Sequence, residues 1–344
     1  MLATNPDWLK QRIQLDQPSI KQITACCEGK GILITGGGGY LAHSLLKILT
    51  AVECRVVRLG HSARKFAPPE GRAQIEDVVG DVRAREVWES ALNGIDIVFH
   101  FAGQTSVYVA NQNALADLNS NVIPMLHMLA VCRLKRSNPI VVFSGTVTEA
   151  GLPTTIPVNE THPDHPITIY DLHKLMAEKY LIHYANEGTV RGVTLRLANV
   201  YGPGPRSSSV DRGVLNMMVR RAVAGESITV YGEGNEMRDY IYTEDVANAF
   251  LSCVSAIENT NGRYFVIGSG EGHTILEAMS LVAERVALKT GIRAPLIHVE
   301  PPQPQSPIEA RNFVADCNLF VKSTGWQPRV RLAEGIDRTI EAVL

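Results

Sequence analysis

The stretch Gly31-Ile32-Leu33-Ile34-Thr35-Gly36-Gly37-Gly38-Gly39-Tyr40-Leu41-Ala42 constrains this chain more than any other. A short, continuously apolar run leads straight into glycines, and an amphipathic stretch follows. A run of this kind is buried on both faces, as a strand is in a parallel sheet covered by helices. Glycines between such a strand and a helix let the backbone turn tightly and let a ligand come close. The N–H groups that open the helix then favour an anion, and a pyrophosphate fits best. Gly36 serves the tight turn, Gly39 the close approach, and Tyr40 and Leu41 complete the cofactor-binding turn. The turn is therefore expected to bind a dinucleotide, in preference to being a merely flexible loop.

The pattern repeats through the first half. Strands are expected at 31–35, 55–59, 74–79, 95–101, 139–144 and 193–199, with helices at 43–52, 117–132 and 170–186. This alternation predicts an α/β chain, a Rossmann-type doubly wound parallel sheet with helices on both faces. After Tyr201-Gly202-Pro203-Gly204-Pro205 the pattern changes. Short strands at 228–231, 263–267 and 296–299 mix with helices near 212–224, 243–255 and 274–290, as a smaller C-terminal α/β substrate-binding region would. The expected division is a helical arm over 1–29, a cofactor domain over 30–202, and a substrate region over 203–344 from which some segments return to the sheet. In the arm, Leu9, Ile13, Ile20 and Ile23 can pack on the body or on a partner subunit.

Net charge is -2, so no broad basic surface points to nucleic acid or to an anionic membrane. The six cysteines form no metal-ligand spacing, and reduced thiols are expected. No run approaches the ~20 apolar residues of a membrane span. A cytoplasmic protein without a metal is the expectation.

The end of the second strand bears on which dinucleotide binds. NAD sites usually place an acid there for the ribose hydroxyls. This chain has Leu59-Gly60-His61-Ser62-Ala63-Arg64-Lys65 instead. Arg64, Lys65 and Arg58 can face a 2′-phosphate, which favours NADP over NAD, unless Arg64 and Lys65 are solvated loop charges. Asp81, followed by Val82, can bond an adenine amino group or cap the next helix.

Tyr170 and Lys174 add chemistry. On a helix, residues four apart share a face, so the ammonium can sit beside the phenol. A fixed cation lowers a tyrosine from its usual pKa of ~10 toward working pH, which suits a general acid/base acting on an alcohol or ketone. With a dinucleotide turn upstream, hydride chemistry at a carbinol carbon is expected.

Together TGGGGYLA, GDVR, DIVFHFAGQTSV, NSNV, VVFSGTVTEAG, YDLHK, RLANVYGPGP and YGEGNEMRDYIYTEDVANAF resemble the extended short-chain dehydrogenase/reductase family, in its nucleotide-sugar epimerase/dehydratase branch. The resemblance runs from about Gly31 to the C-terminus. It implies a catalytic Thr146 that bonds the reacting oxygen, Tyr170 that exchanges the proton, and Lys174 that bonds the nicotinamide ribose. It places Phe101, Ala102, Gly103 and Asn121 along the cofactor, and Gln104, Thr105, Ser106 and Thr148 on the sugar side. Asn199, Arg238 and Arg212 match or extend a diphosphate clamp, so the implied ligand is a nucleotide-diphosphate sugar. A homodimer through helices starting near Asp117 and Tyr170 is implied as well.

The family's 4,6-dehydratases carry an acid/base pair directly after the triad Thr, where this chain has Val147 and Thr148. Glu149 lies one residue on and, if the strand continued, would point away from Thr148. A 4-epimerase with retained NAD and a 4-keto-sugar reductase with exchangeable NADPH remain. The alternatives are a dehydratase and a non-catalytic dinucleotide sensor or scaffold. Glu160 and Asp164 are expected as solvated loop charges, His173 off the Tyr/Lys face, and His100 as a hydrogen-bonded core residue.

Overall fold

Seven of the apolar runs become one parallel sheet in the computed structural model, which describes residues 18–61, 70–205, 213–301 and 304–344. In chain order, α1 (Ile20–Thr24) precedes β1 (Gly31–Thr35), and α2 (Tyr40–Leu49) follows the glycine turn. Next come β2 (Arg55–Gly60), β3 (Gln74–Val79), α3 (Arg85–Ala91) and β4 (Ile97–His100). Then follow α4 (Val107–Gln112), α5 (Ala114–Asn121), α6 (Ile123–Lys135), β5 (Ile140–Thr146) and α7 (Ile169–Asn186). β6 (Arg191–Leu197), β7 (Asn199–Tyr201), α8 (Val214–Val223), β8 (Ile228–Tyr231) and β9 (Met237–Tyr242) lead into the last third. That third holds α9 (Thr243–Ser255), α10 (Ile257–Thr260), β10 (Arg263–Ile267), β11 (Gly272–Thr274), α11 (Ile275–Thr290), β12 (Leu296–Val299), α12 (Asn318–Thr324) and α13 (Leu332–Glu341).

The large sheet runs β10-β6-β5-β4-β1-β2-β3, with every pair parallel. Strand order reverses between β1 and β4, so the helices that follow these strands go to opposite sides. A crevice opens there at the carboxyl ends, where such sheets hold ligands. Period-two alternation divides the strand residues between two cores. Ile32, Ile34, Val56, Phe99 and Leu195 face α2 and α9. Leu33, Val57, Val98, Val141 and Phe143 face α3, α6 and α7. Each large apolar side chain fully buried this way contributes about 1.5–3 kcal/mol. A third core joins α8, α11 and α13 around Tyr201, Tyr240 and Tyr242.

Several expectations change. The helix after the turn starts at Tyr40, because Gly39 is already its N-cap. The expected 117–132 helix is two, α5 and α6, meeting at Val122 with Pro124 in the first turn of the second. Taken together, Ala114–Lys135 is long and apolar enough for a membrane span, against the expectation of none. Here it is a core element: Met125, Met128, Leu129 and Cys132 are buried under the sheet, and Asp117 is buried in a polar network. Residues 147–150 form a 3₁₀ turn, so Glu149 folds back toward Thr146 instead of alternating along a strand. β10 lies in the large sheet beside β6, although it comes after β7, β8 and β9 in the chain. The expectations for Leu9, Ile13, Arg64, Lys65 and Arg212 fall outside the described residues.

Candidate active site

The crevice is built first by Thr35, the last residue of β1. Its hydroxyl oxygen accepts from the N–H groups of Phe101 and Ala102, each at 3.1 Å. Those two bonds occupy both lone pairs, so the hydroxyl proton goes to His100 Nδ1, 2.7 Å away. The ring proton of His100 must then sit on Nε2. Burial, and next the Lys174 charge, push the His100 pKa down to about 3. His100 is thus a neutral, hydrogen-bonded core group, as expected.

Gly36 follows at φ +65°, and a Cβ there would lie 3.0 Å from the Ala102 nitrogen. Only glycine allows β1 and β4 to end this close together. The Gly39 N–H donates to the Gly36 carbonyl at 2.7 Å and closes the turn. Among the described residues no side chain caps α2, so the amides of its first turn, from Tyr40 and Leu41 onward, present donors to the crevice. A positive-φ glycine, a backbone-only helix start and a buried Asn121 Oδ1 lying against Gly103 fit a dinucleotide's pyrophosphate and its polar ring substituents.

The ribose end departs from expectation. Arg58 is buried and pairs with Asp77 at 2.5 Å across β2 and β3, so it does not face a 2′-phosphate. Gly60 accepts from the Gly80 N–H, and His61 is exposed. The Asp81 carboxylate accepts from the Arg83 N–H and pairs with its guanidinium at 2.6 Å, and this hydrogen bonding holds its pKa below the usual range. Asp81 does not cap α3, whose N-cap is Ala84. Asp81, Arg83, Ala84, Asn119 and Ile123 line an open groove there, and the Val82 carbonyl accepts from Trp88 Nε1.

Thr146 ends β5, and Tyr170 and Lys174 lie on α7, which packs against that strand. Thr168 caps α7 by accepting from the Asp171 N–H, which puts Tyr170 and Asp171 in the first turn. Thr148 Oγ1 donates to Asp171 Oδ1 at 2.5 Å, and the Thr146 and Thr148 hydroxyls lie 2.8 Å apart. This link ties the end of β5 to the residue next to Tyr170. Lys174 lies one turn on, with Nζ 4.1 Å from the centre of the Phe143 ring, which stacks on His100. Thr146, Tyr170 and Lys174 are all buried.

Three sugar-side expectations change, those for Gln104, Ser106 and Thr148. The Gln104 amide donates to Asp117 Oδ1 and to the Ser106 carbonyl, so it builds the loop instead of facing a ligand. Ser106 caps α4 by accepting from the Val109 N–H, while Thr105 is exposed. Asn121 donates to Asp117 and to the Gln104 carbonyl. His173 is bonded to Asp117 at 2.6 Å. Thr148 is held by Asp171 and lies against the Thr146 hydroxyl. Arg238 is also redirected: its guanidinium donates to the carbonyls of Met237, Glu309 and Arg311, which fastens β9 to residues 309–311. Asn199 is half-buried in β7 opposite Tyr240.

Two features were missed from sequence. Tyr40 Oη donates to the Gly202 carbonyl at 2.6 Å and accepts from Asn216, which also takes the Gly202 N–H. The C-terminal region is thereby clasped to the first residue of α2. Below the active site, Arg196 makes a fork to Glu178 (2.9 and 2.6 Å), with Glu149 at 2.9 Å and Asp164 at 2.7 Å. Glu149 Oε1 accepts from the Thr146 N–H. Burial first, and then the Glu178 charge, raise Glu149 well above the carboxylate range. Asp164 therefore belongs to an ion network, and Glu160 is a partly buried acceptor for the Val266 N–H, so neither is a solvated loop charge.

A family model, the NAD dependent epimerase/dehydratase family, matches residues 32–268, and the chain belongs to this family of enzymes. The UDP-glucose 4-epimerase of Mycolicibacterium smegmatis is 28% identical over 315 residues, covering 90% of this chain and 97% of that one. A structure of UDP-glucose 4-epimerase with UDP-glucose from Thermotoga maritima has a TM-score of 0.80 at 28% identity, covering 91% of this chain and 98% of that chain. That of Thermus thermophilus UDP-glucose 4-epimerase in complex with NAD has a TM-score of 0.78 at 27% identity, with the same coverage.

Proposed function

We propose that this chain transfers hydride at C4 of a UDP-sugar as a 4-epimerase, with Thr146 and Tyr170 at the reacting oxygen and Lys174 beside Tyr170 on the ribose side. The observation that carries this is the Thr146–Thr148–Asp171 link, which seats the strand-end hydroxyl beside the first turn of α7, at the glycine crevice. Tyr170 takes the carbinol proton and returns it, and the neighbouring Lys174 ammonium favours the phenolate. The dinucleotide held by the Gly36–Leu41 turn supplies the hydride acceptor and donor. Val147 cannot move a proton, which disfavours 4,6-dehydration. Asn199 and Arg212 are the remaining candidates for the diphosphate, and Asp81 for the adenine end.

A 4-keto-sugar reductase is the second reading. Gly60 supports it, because the acid that would favour NAD is missing and NADP is then admitted. Both readings use the same trio. The test is interconversion of UDP-glucose and UDP-galactose by the purified protein, with the cofactor released on denaturation identified. Tyr170→Phe should cut turnover by at least ~100-fold at an unchanged melting temperature. Full turnover by that variant overturns the assignment, and NADPH consumption with no retained NAD moves it to the reductase.

A further inference from the structure

The hydroxyl pair beside Tyr170 has a direction that can be counted. Asp171 is fully buried in the first turn of an 18-residue helix, where the helix N-terminus stabilises a negative carboxylate. Thr148 Oγ1 donates to Asp171 Oδ1 at 2.5 Å, so its one proton is committed there. Thr148 Oγ1 can then only accept from Thr146, which takes the one proton Thr146 Oγ1 has. One Thr146 lone pair accepts from the Thr148 N–H at 3.3 Å. A single lone pair is all that Thr146 has left for a ligand.

We propose that Asp171, acting through Thr148, is a positioning residue that fixes Thr146 as a hydrogen-bond acceptor and so biases the site toward the hydroxyl form of the sugar over its ketone. The inference rests on the C4 hydride reading above. A carbinol has a proton to share between Thr146 and Tyr170. A ketone has none, so of the two hydroxyls assigned to that oxygen only Tyr170 is left to donate. Such a ketone turns more freely, and an epimerase needs its 4-keto sugar to turn over before hydride returns.

The test uses Tyr170→Phe protein with NAD, in which Thr146 alone reads the substrate oxygen and turnover does not intrude. UDP-glucose should bind about three- to tenfold more tightly than the matching UDP-4-keto sugar, the span of one net hydrogen bond, because an accepting Thr146 offers the ketone nothing. Adding Thr148→Val or Asp171→Asn should bring the two ligands within about twofold of each other, and Thr148→Ser should restore the preference. A preference that survives both substitutions overturns the inference. A ligand-free measurement separates this from failure of the functional reading. Melting shifts of Thr148→Val and Asp171→Asn should be non-additive in the double variant, as bonded partners require. Additive shifts sink the hydroxyl chain whatever the substrate. Non-additive shifts in a protein that neither binds nor turns over UDP-glucose sink the C4 reading, and with it the bias.

Discussion

The Arg196 network gives the sharpest stability prediction. Three carboxylates converge on one guanidinium that is only 3% exposed. The fork to Glu178 holds the guanidinium in two charge-assisted bonds. Glu149 is raised well above its usual range by burial and then by Glu178, and is the carboxyl of the three that this shift favours to hold a proton. Arg196→Met should therefore cost about 3–5 kcal/mol, because it strands the buried Glu178 charge. Glu149→Gln removes little charge and should cost no more than about 1 kcal/mol at neutral pH. The two variants also differ in pH dependence. A carboxyl whose folded pKa lies above its unfolded value of ~4.3 binds more protons in the folded state, so wild-type stability falls as pH rises through that window. Glu149→Gln lacks this term. Relative to wild type it should gain about 1.4 kcal/mol per pH unit from pH ~5 upward, until the folded pKa is reached. Urea unfolding of the three proteins at pH 5, 6 and 7 reads both quantities. A Glu149→Gln cost equal to that of Arg196→Met, or a gap to wild type that stays constant with pH, would refute the charge assignment.

His100 titrates in the opposite sense: its folded pKa of about 3 lies below the unfolded value, so its contribution is complete above ~6.5 and is lost as pH falls. Between pH 6.5 and 4.5 wild type should lose about 2 kcal/mol more than His100→Phe in urea unfolding, and equal slopes would argue against a neutral buried ring. Gly60→Asp should shift the ratio of NAD to NADP affinity toward NAD by at least ~10-fold in titration calorimetry, since a carboxylate accepts from a ribose hydroxyl and repels a 2′-phosphate; an unchanged ratio would place the ribose elsewhere. Leu172 and Tyr180 are exposed on α7, two turns apart. If this face pairs with a second copy, Leu172→Asp with Tyr180→Asp should convert a dimer to a monomer in light scattering, whereas an unchanged mass would reject the pairing.

What the sequence disclosed followed from local pattern. GILIT and the glycines after it marked β1, the turn and the crevice, because burial on both faces and a positive-φ turn leave their trace within a dozen residues. The Tyr170/Lys174 spacing needed only one helix. Partners distant along the chain were not legible. Arg58 looked available for a phosphate, yet it faces Asp77 directly across the β2–β3 register. β9 was missed because Arg238 and Asp239 disguise a strand buried along nearly its whole length: one is bonded to carbonyls, the other to the N–H groups of Ser269, Gly270 and Ala315. The role of Asp171 could have been approached from sequence, since Thr168-x-x-Asp171 at a helix start is a capping pattern. Its bond to Thr148 could not.

The place of β10 also bears on how the molecule is made. β6 keeps an unpaired edge until Ile267 has been synthesised and has left the ribosome, well after the catalytic helix has emerged. A nascent chain halted before that point displays an open row of backbone donors and acceptors, a template for pairing with the wrong strand. The segment between β6 and β10 thus delays closure of the sheet, and newly made protein would need shielding longest during that interval.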